Sequence, residues 1–472
     1  MIGLIVMAGV GTLLSVWPSV AWSADLGALV AKLKASVVNV ERSATVALNG
    51  EQAGWGKASG FIVDARRGII ATNRHVAGTG PSLVKIIFEN GQSTDARLLH
   101  YDAWHDFALF RIDPLSIDFQ LREVQLGDSF ALQEQEDVLL IGNNDAQEYS
   151  VKFGKVSNLV LDKGVRHSAT IQTTFDRTGG SSGSPVFNAK GEVVAIHFAG
   201  TDTTSFELRI EYLKDALDEI RRDGRVRRGD VGLDLKLVLV SDAEKHFLLP
   251  SPLAKRVLGL RPGLKYMVAV ESRVSGTAAY DTFLPGDLLL SLDGVWIGDD
   301  LYHLDRMVDE KVGSDVTFGA IRNGREFSVR LPVRDAEALK VRRFARFAGG
   351  VFQDLTPEVR LANDVQAEGV LLTQAEKGSS MARLGSESAS GTGRYLVLVE
   401  KANGSPTPNL DAFVRAVRPL TDRNHVYFLV RDRNAMDTGI LALPVTLDLK
   451  FSPLEVWVWS PKDIDWVRSE AE

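Results

Sequence analysis

Three serines crowd one short stretch of the chain, Gly179-Gly180-Ser181-Ser182-Gly183-Ser184-Pro185. Upstream of it stand Thr72-Asn73-Arg74-His75-Val76 and His105-Asp106-Phe107-Ala108-Leu109-Phe110. A hydroxyl in a glycine loop, an imidazole and a carboxylate, in the order histidine, aspartate, serine, are the parts needed for nucleophilic acyl transfer. Such chemistry also needs backbone N–H groups converging on the developing oxyanion, and a residue without Cβ where the chain turns toward it. Gly180, two residues before Ser182, supplies that conformation. The N–H groups of Gly180 and Ser182, with Ser181 between them, then form the hole, and Gly183 lets substrate approach closely. Ser182 is the nucleophile this reading selects over Ser181 and Ser184.

His75 follows the apolar run Gly68-Ile69-Ile70-Ala71-Thr72 and precedes the turn Ala77-Gly78-Thr79-Gly80, so a strand end holds it rigidly at a cleft. Asp106 opens an apolar run, and a carboxylate buried there without a partner costs several kcal/mol. A histidine N–H is a natural partner, and that bond leaves the other ring nitrogen as the base. Asp102, among Tyr101, Ala103 and Trp104, is the rival acid. His100 and His105 beside Asp106 do not form a zinc spacing, and no cofactor or metal is expected.

These residues need elements to position them. A Gly/Ser run is in general a flexible linker, but this one is flanked by Ser168-Ala169-Thr170-Ile171-Gln172-Thr173-Thr174-Phe175, rich in β-branched residues. On its other side are Pro185-Val186-Phe187, a turn at Asn188-Ala189-Lys190-Gly191, and Glu192-Val193-Val194-Ala195-Ile196-His197-Phe198. Strand, loop and hairpin place it inside a β domain.

The motifs around His75, Asp106 and Ser182, together with Leu126-Gly127-Asp128-Ser129 and Ile141-Gly142-Asn143, resemble the HtrA/Deg family of trypsin-like serine proteases with C-terminal PDZ domains. The loop Gly-Gly-Ser-Ser-Gly-Ser-Pro is similar to that of the Deg subgroup. Ser181 and Ser184 stand where the usual family loop has Asn and Gly. The resemblance implies a mainly β protein, a trypsin-like double β-barrel followed by two PDZ-like α+β domains. It implies ATP-independent cleavage of unfolded or damaged exported proteins, and assembly into trimers or multiples of them. It also places the S1 pocket at the strand carrying Ile196, His197 and Phe198. A proteolytically silent chaperone or peptide-binding scaffold is the rival.

With 472 residues the chain has room for about three domains. A net charge of −7 argues against a nucleic-acid partner, and zero cysteines exclude disulfides and a cysteine nucleophile. No charged residue occurs from Ile2 to Ala24, and Ala21 and Ser23 fit a signal-peptide cleavage site. Residues 1–24 thus read as an export signal of a periplasmic or otherwise exported protein. The alternative is a membrane anchor formed by residues 2–23.

The protease region is expected over 25–228, closing with a helix over 211–222 that stops at Asp223-Gly224, followed by a hydrophilic linker at Arg225-Val226-Arg227-Arg228-Gly229. Two weakly similar units follow, 229–337 and 343–450. The first holds Leu284-Pro285-Gly286-Asp287-Leu288-Leu289-Leu290, a helix bearing Leu301, Leu304, Met307 and Val308, and a hairpin at Asn323-Gly324. The second holds Gly393-Arg394-Tyr395-Leu396-Val397-Leu398-Val399 and a helix bearing Leu410, Phe413, Val414 and Val417. Both are similar to PDZ domains, which add a peptide as an extra strand and bind its C-terminal carboxylate. The resemblance places those carboxylate loops at Val231, Gly232 and Leu233, and at Gly349, Gly350 and Val351, although Asp230 disfavours an anion unless its side chain points away. The tail 451–472, with Trp457, Trp459 and Trp466, is expected either to pack on its own domain as a final strand or to dock elsewhere.

Overall fold

The computed structural model describes residues 26–144, 147–164, 166–176, 178–363, 365–385, 397–432 and 440–469. The uncharged stretch at residues 2–24 and the residues Gly393-Arg394-Tyr395-Leu396 lie outside them. Among the described residues no helix is long and apolar enough to cross a membrane.

The chain is mainly β. Six strands between Val37–Ala44 and Ala108–Arg111 close into a first antiparallel barrel. Its interior is filled by Val38, Val40, Ile62, Ile70, Ile86 and Phe110, which alternate inward along their strands. A second sheet runs from Gln125–Leu126 to Ser205–Arg209, and the pairing of Pro185–Phe187 with Glu192–Gly200 closes it on itself. The amphipathic helix Ile210–Asp223 buries Leu213, Ala216 and Leu217 against this body, with Ile220 half-buried beside them. It ends where Gly224 takes φ +70° and returns its N–H to Ile220 O, the left-handed C-cap the sequence announced.

The next residues depart from expectation. The arginine-rich run reads in sequence as a hydrophilic linker, yet Val226 and Arg228 are buried, Arg228 to 1% exposure. A charged side chain that deep needs charged partners, and they lie far off in sequence.

The first PDZ-like unit is a sheet with Leu233–Leu239 at one edge, then Tyr266–Arg273, Leu288–Leu292, Asp315–Arg322 and Arg325–Pro332, with the helix Leu301–Asp309. Asn323 and Gly324 both take positive φ, giving the two-residue turn their types favour. The second unit repeats the order with Gly350–Asp354, Val370–Ala375, Val397–Ala402, His425–Asp432 and Ile440–Thr446, and the helix Leu410–Val417. It carries three further strands. Arg343–Phe347 pairs outside Gly350–Asp354, and Glu455–Ser460 pairs outside that, followed by Asp465–Arg468. The tryptophan tail is therefore part of this sheet. Phe344 stacks on Trp457 and meets Trp466 edge-on, and with Val46 and Leu48 they join the sheet to the first barrel.

Candidate active site

His75 sits on the one-turn helix Arg74–Ala77, directly after the strand Ile69–Thr72. Its Nδ1 lies 2.6 Å from Asp106 Oδ2, and its backbone N–H donates to Asp106 Oδ1 at 2.9 Å. Asn73 Nδ2 donates to the Asp106 carbonyl at 2.8 Å, fixing the acid from behind. The Asp106 side chain is 6% exposed while that of His75 is 44% exposed, so the pair is buried at its acid end and open at its base end. Burial by itself would lower the imidazole pKa, but the Asp106 carboxylate outweighs it and holds His75 above its ordinary value. Burial would raise Asp106, and His75 more than reverses that. Asp102, the rival acid, faces away from His75: its Oδ1 accepts the N–H groups of Trp104 and His105.

The three serines have separate fates. Ser181 folds back to donate to Thr178 O at 2.7 Å. Ser184 is fully buried, its Oγ against the position where a Cβ on Gly142 would stand. Ser182 is half-buried, and its hydroxyl, like His75 Nε2, makes no hydrogen bond to any described residue. The N–H groups of Gly180 and Ser182 likewise donate to none. One hydroxyl and two N–H donors on this turn are thus without partners among the described residues.

What holds that turn is mostly Ser59, which sequence reasoning missed. Ser59 N donates to Ser182 O at 2.9 Å, and Ser59 Oγ donates to Gly180 O while accepting from Asn143 N. Gly180 takes φ +87°, with Asn143 O 2.5 Å from where its Cβ would be. Gly183 corrects the reading given to it. Its Cβ would stand 2.1 Å from Ser59 O and 2.4 Å from Thr72 Oγ1, so the glycine serves packing against the chain's own strand rather than substrate approach. Ser59 could not be singled out in sequence, because a small polar residue before an apolar run carries no chemical signature.

The expected S1 trio is also revised. Ile196 is fully buried in the core, paired with Pro185 and Leu208. The buried His197 ring lies 3.0 Å from Glu207 Oε2, whose other oxygen accepts from Thr173. The His197 backbone exchanges bonds with Gly183 and Ser184, so this strand anchors the turn that carries Ser182. Only Phe198 is half-buried.

Neither carboxylate loop is open. In the first unit Asp230 Oδ1 accepts the Gly232 N–H at 2.9 Å, so the domain's own carboxylate takes that donor. Arg166 donates to Leu233 O and to Asp230, Asp162 Oδ2 accepts the Leu237 N–H at 2.6 Å, and His167 lies between Asp234 and Asp305. Asp162, Arg166 and His167 of the protease part thus cover the edge strand Leu233–Leu239. In the second unit Ala348 and Gly349, at φ +51° and +81°, form a tight hairpin turn with Phe347 opposite Gly350. Arg343–Phe347 fills the edge beside Gly350 and Val351 that a peptide would extend.

The comparisons agree with this anatomy. A trypsin-like peptidase domain model matches residues 58–196 and a PDZ-like domain model matches 338–423. The chain is 30% identical over 424 residues to a pro-apoptotic serine protease NMA111 of Phaeosphaeria nodorum, covering 86% of this chain and 41% of that one. It is 29% identical over 408 residues to the NMA111 of Meyerozyma guilliermondii, covering 84% and 40%. The chain thus spans about two fifths of the length of these curated relatives. A solved HtrA-type protease AlgW with tripeptide matches at 22% identity and a TM-score of 0.49, over 65% of this chain and 96% of that one. Fold and domain matches give the chain a trypsin-like peptidase domain and a PDZ-like domain, and over about two fifths of their length it is similar to relatives named serine proteases.

Proposed function

We propose that the chain is an endopeptidase that hydrolyses unfolded or damaged polypeptides without a nucleotide cofactor. Ser182 Oγ attacks the scissile carbonyl carbon as His75 Nε2 takes its proton. The tetrahedral oxyanion is held by the N–H groups of Gly180 and Ser182, with Ser181 in the same turn. The carbon–nitrogen bond breaks as Nε2 returns the proton to the leaving amine, and water then repeats the sequence on the acyl-serine. Asp106 keeps the Nδ1 proton in place and stabilises the imidazolium. The single observation that carries this reading is the His75–Asp106 pair, buried at the acid and open at the base. The scaffold alternative needs an accessible peptide groove, and both grooves here are filled.

A fluorophosphonate probe tests the reading, because it reacts only with a serine that is both activated and served by an oxyanion hole. Stoichiometric labelling of Ser182 is expected; a chain that remains unlabelled would remove the proposal. Export and oligomer formation belong to the same proposal. Intact mass of the native protein distinguishes a start near Ala24 from a retained Met1, and light scattering reads the assembly.

A further inference from the structure

Asp106 stands near the end of a tight turn whose shape is set by Asp102. The wholly buried Asp102 accepts the N–H groups of Trp104 and His105 at 2.9 and 2.8 Å, and its own N–H donates to Phe107 O at 3.0 Å. The turn around Asp106 is thereby locked from Asp102 to Phe107. Asp102 uses its second oxygen, Oδ2, to accept from Arg228 Nε at 2.6 Å.

Arg228 joins two domains. Its Nη1 donates to Asp309 Oδ2 at 2.7 Å, and Asp309 Oδ1 accepts the Gly229 N–H at 2.8 Å. Asp309 is the last residue of the helix Leu301–Asp309 in the first PDZ-like unit. The same helix supplies Asp305, which accepts from Tyr212 Oη at 2.7 Å, and the Tyr212 ring stacks on His105 at 3.8 Å. Two acidic residues one helical turn apart therefore brace the segment that carries the catalytic acid. A guanidinium fits this place because it alone among side chains reaches two carboxylates in fixed directions without losing its charge.

We propose that Arg228 is a positioning residue for Asp106: by tying Asp102 to Asp309 it makes the geometry of the His75–Asp106 pair depend on the seating of the first PDZ-like unit. The proposal rests on the reading of His75, Asp106 and Ser182 as the catalytic machinery. It assigns the first unit the task of bracing the acid, in place of receiving peptides at an edge that Asp162 and Arg166 occupy.

The test uses the full chain with Arg228→Met, Arg228→Lys and Asp309→Asn, each checked for folding by circular dichroism. Two quantities are read: kcat and KM on a short chromogenic peptide, and the low-field proton resonance of the His75 Nδ1–H···Asp106 bond. Arg228→Met should lower kcat by about tenfold or more with little change in KM, and shift or broaden the resonance. Arg228→Lys should recover part of both. Arg228→Met leaves two buried carboxylates without their counter-charge and can unfold the chain; Asp309→Asn then decides, since it cuts the link to the PDZ-like unit while keeping Arg228 on Asp102. A folded Asp309→Asn or Arg228→Met with wild-type kcat and an undisturbed resonance overturns the proposal. If the wild type itself fails to react with fluorophosphonate, the functional reading has failed, and the resonance still reports whether Arg228 positions Asp106.

Discussion

The two PDZ-like units share a strand order and differ in what completes their edges. The first has its edge strand Leu233–Leu239 satisfied by another part of the molecule, through Asp162 and Arg166. The second is completed from its own chain, by Arg343–Phe347 and then Glu455–Ser460. They also grip opposite ends of the His75–Asp106 pair. The first reaches the acid through Asp309 and Arg228, whereas the second reaches the base, because Glu358 pairs with Arg74 next to His75. An edge held across domains is released when the domains part; an edge held within a sheet is released only when that sheet unfolds. The two modules thus differ in how their edges are completed, while both hold the His75–Asp106 pair through ion pairs that cross domain boundaries.

Both braces matter only if the pair they hold serves Ser182, so the largest expected effect is on that residue. Ser182→Ala should lower proteolysis by roughly ten-thousandfold while leaving the fold unchanged. An active Ser182→Ala beside an inactive Ser181→Ala would move the nucleophile, and the comparison would lose its centre.

The acid-side brace has a pH signature. Burial, opposed by Arg228, pushes the Asp309 carboxyl up to about 7. A carboxyl raised in the folded state binds its proton more tightly there, so its contribution to stability is present below the unfolded value of about 4 and is lost as pH rises toward 7. Urea unfolding of the wild type should therefore show a decline across that window that Asp309→Asn lacks. Equal slopes in both proteins would show that the carboxylate is charged throughout.

On the base side, Arg74 lowers the His75 pKa, and Glu358 is the carboxylate paired with Arg74. Glu358→Gln should expose His75 to the full guanidinium charge, moving the acid limb of the pH–rate profile to lower pH and reducing kcat several-fold. A shift in the opposite direction would mean that Glu358 acts on His75 by another route. The smallest effect is expected at the first unit's edge. Asp162→Ala should free the Leu237 N–H so that an extended peptide binds along Leu233–Leu239, read by fluorescence anisotropy, where the wild type binds weakly. Tight binding by the wild type would show that Asp162 gives way readily.

Local signals carried much of this molecule. The strand before His75, the helix stop at Gly224 and the Asn323-Gly324 turn are each settled by neighbours in sequence, and each reads through. The errors share one cause. Whether Gly232 is open depends on Asp230 and on Arg166, which reaches Leu233 from 67 residues away. Arg228 reads as a solvated linker residue because its partner Asp102 lies 126 residues upstream. Gly183 reads as a substrate contact because nothing nearby announces Ser59. Residue types disclosed the chemistry; the partners that close or support it are set by the tertiary fold.

The pairing of Arg343–Phe347 with Glu455–Ser460 also sets a schedule. His75, Asp106 and Ser182 precede Glu455–Ser460 in the chain, so they leave the ribosome before the strand that completes the second unit's sheet. Until it arrives, Arg343–Phe347 presents a bare edge, the kind of surface that recruits other strands. The site is written before the support that Glu358 lends to Arg74 can be secured. Folding of the second unit's sheet therefore waits for Glu455–Ser460, well after the residues of the proposed site have been made.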